Sequence, residues 1–394
     1  MSAEAPGGAA GRHDAELVGW LELFFDLVVV VCTAVLADRL HEHPDWGGVG
    51  VFLVCFTAIW SIWISFVVYT DLANENTRIA TLMIAAGVIG IMAAALGNLD
   101  ERANAFAIGF VVCRIIAARA ASHTGRFLTS WPAVQLGGLT TPWIVSIWVE
   151  APVKYGIWAA ALALELVFAA ARATEGDASG ALVERLNARV RRKARGREQV
   201  APFVPVSGRP EHLGDRLGTF VIIVLGEGVA QIIRGATAAE WGNHFGVAAV
   251  ASFAILIGLW WLAFRHGFGA GEEPTFPLRT LMLMHLVMTA GVVALAAALG
   301  ELLLDVHEPA TAFYRWLPAG GLAVWLLVSA ALAEGAGDRR TAVRALGSVA
   351  IAVVAAAACG SIDALWFIVL LAAAVGWTCL PHRLPGGARP AQAA

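Results

Sequence analysis

Apolar residues in this chain run in long blocks separated by short charged breaks. Reading from break to break predicts twelve spans. Six lie in the first half, at about 21–40, 48–69, 78–97, 103–120, 131–149 and 155–172. Six follow at about 213–234, 244–265, 279–301, 313–333, 341–359 and 363–380. A run of about 18 or more apolar residues is long enough to cross a bilayer core. Lipid offers no partner to backbone N–H and C=O groups, so each span must satisfy them internally as a helix. The pattern therefore predicts an all-α fold, a polytopic integral membrane bundle of about twelve transmembrane helices. Pro132 and Pro142 predict kinks within the fifth span.

Composition strengthens this reading. Hydrophobic residues make up 59% and charged residues 14%, against about 25% charged in soluble domains. No basic stripe interleaved with aromatics points to nucleic acid. The five cysteines (Cys32, Cys55, Cys113, Cys359 and Cys379) sit within apolar blocks without a CxxC pair, and are expected to be small buried hydrophobes. Residues 1–16 lack the basic-then-apolar order of a cleaved signal peptide, so the first span is expected to be an uncleaved anchor. Richness in Ala and Gly, and preference for Arg over Lys, point to a bacterial source.

Most of the 27 Lys and Arg residues fall in the N-terminal tail, the even-numbered loops and the C-terminus. Basic loops stay cytoplasmic, so both termini are expected inside, in a bacterial inner membrane. The chain divides into 1–172, a basic cytoplasmic loop at 173–212, and 213–394. Within the loop, Leu182 to Val190 repeats apolar residues every three or four positions among arginines. Such a segment suits a basic amphipathic helix on anionic lipid, and equally a solvated linker.

The two halves also resemble each other. A shift of 201 residues places Asp26 on Glu227, Trp60 on Trp261 and Arg78 on Arg279. A shift of 203 places Ala93-Ala94-Ala95-Leu96-Gly97 on Ala296-Ala297-Ala298-Leu299-Gly300. Two six-helix repeats of the same orientation are expected, as in transporters built from parallel halves.

Charged residues inside spans carry the chemistry. Glu22 and Asp26, in Trp20-Leu21-Glu22-Leu23-Phe24-Phe25-Asp26-Leu27, lie on one helical face a turn apart. Glu227 stands mid-span between Gly226 and Gly228, which soften a helix and admit close backbone approach. Arg114 lies deep in span four and needs a carboxylate from Glu22, Asp26 or Glu227, or else snorkels to the interface. His212, Asp215 and Arg216 form a supporting polar cluster at the start of span seven, where Asp215 is placed to meet a helix N-terminus. Glu165 and His285 are lesser intramembrane polar features. Trp60 and Trp63, with Trp260 and Trp261, suit an interfacial aromatic belt or the lining of a cavity. No Walker loop, GxSxG, HExxH or dinucleotide fingerprint occurs, and no cofactor or metal is expected.

At these residues the chain resembles the bacterial low temperature requirement A family. The motifs are Trp20-Leu-Glu-Leu-Phe-Phe-Asp26, His212-Leu-Gly-Asp-Arg216 and the downstream Leu225-Gly226-Glu227, and the similarity runs over about 17–380. Asp215 departs from the Glu that the family places before the Arg, keeping the charge with a shorter reach. The resemblance implies a multi-spanning bacterial inner-membrane protein connected with growth in the cold, and names no activity. Three function classes follow. The leading one is a secondary transporter or permease, with Glu22, Asp26, Arg114 and Glu227 as a buried site for a proton or small solute. A non-catalytic membrane protein and a membrane enzyme acting on a lipid or prenyl chain are the alternatives, the enzyme being the least favoured.

Overall fold

The computed structural model describes residues 7–72, 75–124, 126–128, 139–171, 204–206, 210–266, 276–358 and 360–381, with 184, 187 and 188. Among them the chain forms twelve α-helices. The first six are α1 (Gly7–Glu42), α2 (Trp46–Leu72), α3 (Glu75–Leu96), α4 (Leu99–His123), α5 (Thr140–Val145) and α6 (Val153–Ala171). The second six are α7 (Pro210–Ala238), α8 (Asn243–His266), α9 (Leu278–Leu302), α10 (Ala312–Gly335), α11 (Arg339–Ala358) and α12 (Ala364–Cys379). A parallel ladder of two three-residue strands, β1 (Arg126–Leu128) and β2 (Val204–Val206), pairs Arg126 with Val204. The basic segment from Leu182 to Val190 lies largely outside the described residues.

Among the described residues, ten helices are long and apolar enough to cross a membrane. Two of the twelve expected spans are not among these ten, and the fifth is only partly described. In the fifth, the described part is the six-residue α5 followed by a 3-10 turn at Ser146–Trp148. Pro142 lies in the first turn of α5, where a missing N–H is tolerated, while Pro132 lies outside the described residues. The last helix, α12, has 16 residues, about 24 Å at 1.5 Å per residue, short of a hydrocarbon core of about 30 Å.

The chain forms two compact units. The first comprises Met1–Glu227 and Phe276–Val293, the second Gly228–Thr275 and Ala294–Ala394. In the first, α1 packs on α2 and α3, α4 on α2 and α3, and α6 on α2 and α5. The faces of α1 explain why it folds this way in lipid. Trp20, Phe24, Leu27 and Val31 recur every three or four residues and stay exposed, as a lipid-facing stripe does. Glu22, Asp26, Val29, Thr33 and Leu36 recur on the buried face. Apolar residues therefore point both ways, while Glu22 and Asp26 point inward. The short α5 is held by aromatic stacking: Trp143 lies against Phe110 at 3.9 Å and Trp158 at 4.8 Å between ring centroids.

In the second unit, α8 packs on α10 and α12, and α11 on α10 and α12. Gly337, at φ 78, ends α10 by letting the Asp338 N–H turn back to the Ala333 carbonyl at 2.8 Å. Asp338 then caps α11, accepting from the Thr341 N–H at 3.1 Å and the Thr341 hydroxyl at 2.8 Å. Arg265, at the end of α8, approaches the same carboxylate at 3.6 Å. Helix α7 runs unbroken through Gly226 and Gly228. Two of its glycines serve packing: Gly228 lies against Ala296 and Leu256, and Gly235 against the backbone of Gly300. Small residues let membrane helices approach closely in this way.

Gly235→Ala is expected to lower the melting midpoint of the detergent-solubilised protein, because the new Cβ meets the Gly300 carbonyl. Overpacking of this kind costs roughly 1–3 kcal/mol. Gly226→Ala, at a position open on all sides, is expected to hold or raise the midpoint, since Ala favours helix over Gly by up to about 1 kcal/mol. Equal effects at the two positions would contradict this packing account.

Candidate functional site

Two helices of the first unit place charge against charge, and a third supplies a hydrogen-bond donor. Asp26 on α1 is fully buried, and its Oδ1 accepts from Arg216 Nη2 of α7 at 2.7 Å and from the Trp63 indole of α2 at 2.8 Å. Arg216 also donates to the Glu22 carbonyl at 3.3 Å and lies 3.6 Å from Glu22 Oε2. One guanidinium thus sits between two carboxylates a helical turn apart. Asp26 Oδ2 is buried and meets no hydrogen-bond donor among the described residues. An Asp or Arg at a membrane helix centre costs roughly 2.5–3.5 kcal/mol on insertion scales, and pairing the two offsets a large part of that.

A second ion pair lies on the other flank of α2. Arg114 of α4 is 1% exposed and donates from Nη2 to Glu165 Oε1 of α6 at 2.7 Å. Its Nη1 donates to the Ser65 hydroxyl at 3.0 Å, and its guanidinium carbon lies 5.9 Å from the centre of the Phe110 ring. Beside this pair a small cleft of about 10 Å³ is lined by Thr57, Trp60, Ser61, Leu162 and Glu165, among others. That is about the space of one water molecule.

His285 of α9 joins the two flanks. The Trp60 indole donates to His285 Nδ1 at 2.9 Å, while Nε2 faces the Leu217 carbonyl at 3.2 Å. An indole N–H only donates and a carbonyl only accepts. The imidazole proton is therefore assigned to Nε2. Trp63 stacks on the same ring at 5.3 Å with an interplanar angle of 17°. His285 so fixes both tryptophans, one of which holds Asp26.

The expected site residues separate accordingly. Glu22, Asp26 and Arg216 come together, with Arg216 as the principal cation rather than a supporting residue. Arg114 takes Glu165 and not one of the three expected acids. It does not snorkel. Glu227 is half-buried and stands eleven residues beyond Arg216 on α7. At 1.5 Å per residue that is about 16 Å, too far to join the same ion pair. Asp215 is exposed, and since α7 begins at Pro210 it does not cap the helix. The His212 side chain lies outside the described residues.

The tryptophans divide as well. Trp60 and Trp63 are 1% and 0% exposed and belong to the site, not to an aromatic belt. Trp260 and Trp261 are each 45% exposed, as lipid-facing residues are. Glu165 is the ion-pair residue that sequence reasoning undervalued. Its signal was present, because Trp158, Leu162 and Glu165 recur at helical spacing on one face of α6. No group of His, Cys, Asp and Glu suited to a metal occurs among the described residues.

Arg216→Met is expected to destabilise the solubilised protein by about 3–5 kcal/mol, because it strands a buried carboxylate. Adding Asp26→Asn to that variant should restore much of the loss in melting midpoint. A double variant less stable than Arg216→Met alone would show that charge pairing does not govern these residues.

Compared with known families, residues 17–379 match that described as bacterial low temperature requirement A protein (LtrA). No curated protein and no solved structure matches the chain.

Proposed function

The chain belongs to the bacterial low temperature requirement A family, and from that premise we propose that it is a secondary transporter that exchanges a proton or small cation at Asp26. The observation that carries this reading is the state of one carboxylate. Asp26 is wholly enclosed, with Oδ1 shared by Arg216 and Trp63 and Oδ2 buried without a hydrogen-bond donor among the described residues. An intramembrane acid of this kind is a default site for ion or proton traffic.

A proton arriving at Oδ2 neutralises the charge that Arg216 holds at 2.7 Å. Arg216 then shifts its electrostatic preference toward Glu22, whose Oε2 already lies at 3.6 Å. The guanidinium thereby moves between two acids a turn apart on α1, and α7 moves with it relative to α1. Arg114 and Glu165 stay paired through this exchange and hold α4, α2 and α6 as the fixed frame. In the same reading Glu227 is the counterpart of Asp26 in a duplicated second half, the basic loop contacts anionic lipid, and both termini face the cytoplasm of the inner membrane.

Protein reconstituted into liposomes with a trapped pH-sensitive dye is expected to dissipate an imposed pH gradient. Asp26→Asn should reduce that flux at least about tenfold, because an amide cannot take up and release the proton. Flux indistinguishable between wild type and Asp26→Asn, with both proteins folded, would overturn the proposal and leave the ion pairs as helix fasteners.

A further inference from the structure

The end of the first unit that lies away from Asp26 carries a second polar cluster. It gathers the last turn of α1, the first turns of α4 and the first residues of α6. Lys154, one of only two lysines in an arginine-rich chain, is 7% exposed. Its ammonium donates to the Asn104 side-chain carbonyl at 2.6 Å, a neutral acceptor, and meets no carboxylate among the described residues. Arg39 pairs with Asp100 at 3.0 Å, one helical turn before Asn104 on α4. The Tyr155 hydroxyl is buried without a hydrogen-bond partner among the described residues, within electrostatic reach of Asp100 and Arg39.

A buried ammonium has three N–H donors and a full charge to compensate. One amide oxygen supplies neither the charge nor the remaining acceptors. Glu150 and Glu101 are exposed, and Glu101 is bonded to Asn98 at 2.8 Å. Asp100 is already neutralised by Arg39. The Lys154 ammonium and the Tyr155 hydroxyl are therefore donors on α6 that still need an acceptor, and the Arg39–Asp100 pair lies beside them. Asn104 and Asp100 are themselves exposed, so the cluster is open to a ligand.

From this geometry we infer that the Lys154 cluster is a binding site for a phosphate group, held by the Lys154 ammonium, the Tyr155 hydroxyl and the Arg39 guanidinium. A tetrahedral oxyanion offers acceptors in several directions, matching donors that arrive from two helices, as a planar carboxylate does not. The cluster stands at helix ends, the level at which phospholipid phosphates lie. Free inorganic phosphate and a phospholipid headgroup present the same chemistry. The inference does not depend on proton exchange at Asp26, since the two clusters share no residue.

The test uses the full-length protein, purified in a neutral detergent and stripped of lipid. Its melting midpoint is followed against inorganic phosphate and, separately, against phosphatidylglycerol in mixed micelles, with phosphatidylcholine and sodium chloride as controls. A saturable rise with one of the two ligands is expected. A response to inorganic phosphate assigns a free anion, and a response to phosphatidylglycerol alone assigns a headgroup. Lys154→Met should weaken that response at least about tenfold, as loss of a charge-assisted hydrogen bond does, with Lys154→Arg retaining it. Tyr155→Phe removes only the hydroxyl and should weaken the response with folding intact, which covers the case that Lys154→Met does not fold. No response to either ligand, or a response unchanged in Lys154→Met and Tyr155→Phe, overturns the site.

Discussion

Charge inside lipid must be matched by charge, and in this protein that requirement organises the first unit. Asp26 and Arg216 are 190 residues apart along the chain, yet they close to 2.7 Å because neither can remain alone in a low-dielectric interior. Their contact fixes α7 against α1. The Arg114–Glu165 pair fixes α6 against α4 in the same way. Dispersion and small-residue packing, which drive membrane helices together without a hydrophobic effect, would allow many registers. Two buried ion pairs select one.

Helix α2 is the element on which both pairs converge. It turns Trp63 to Asp26, Trp60 to His285 and Ser65 to Arg114. Ser61 bonds back to its own helix through the Ala58 carbonyl and leaves its own carbonyl facing Arg114 at 3.5 Å. The helix is nearly all buried, from Cys55 to Thr70. This explains why its tryptophans are not interfacial. Each indole N–H answers a buried acceptor, and buried polar groups without such answers are costly. A bundle whose central helix is committed on several sides is suited to act as a frame, and the proposed proton exchange falls on a single contact, Asp26 with Arg216.

Much of this was legible in the chain. Block lengths identified the long spans, because lipid thickness and helix rise leave little freedom. Scarcity of charge within those blocks singled out Glu22, Asp26 and Arg114. Pairing was harder to read, because it depends on which helix lies beside which. Arg216 looked like a residue of a helix start, since the apolar block begins at Leu213, but α7 begins at Pro210 and carries Arg216 inward. Glu165 looked isolated until α6 lay against α4. The fifth span lies only partly within the described residues. Its described part folds as one short helix and a 3-10 turn, a change of helix type that hydropathy alone does not register.

The central claim is that Asp26 takes up and releases a proton while enclosed in the bundle. Infrared difference spectroscopy of the reconstituted protein, recorded as external pH is stepped, measures this most directly. A protonated carboxylic acid has a carbonyl stretch distinct from that of a carboxylate. The account predicts such a band that titrates in the wild type and is missing from Asp26→Asn. A wild-type spectrum without a titrating carboxylic acid band, or one with a band that persists in Asp26→Asn, would contradict it.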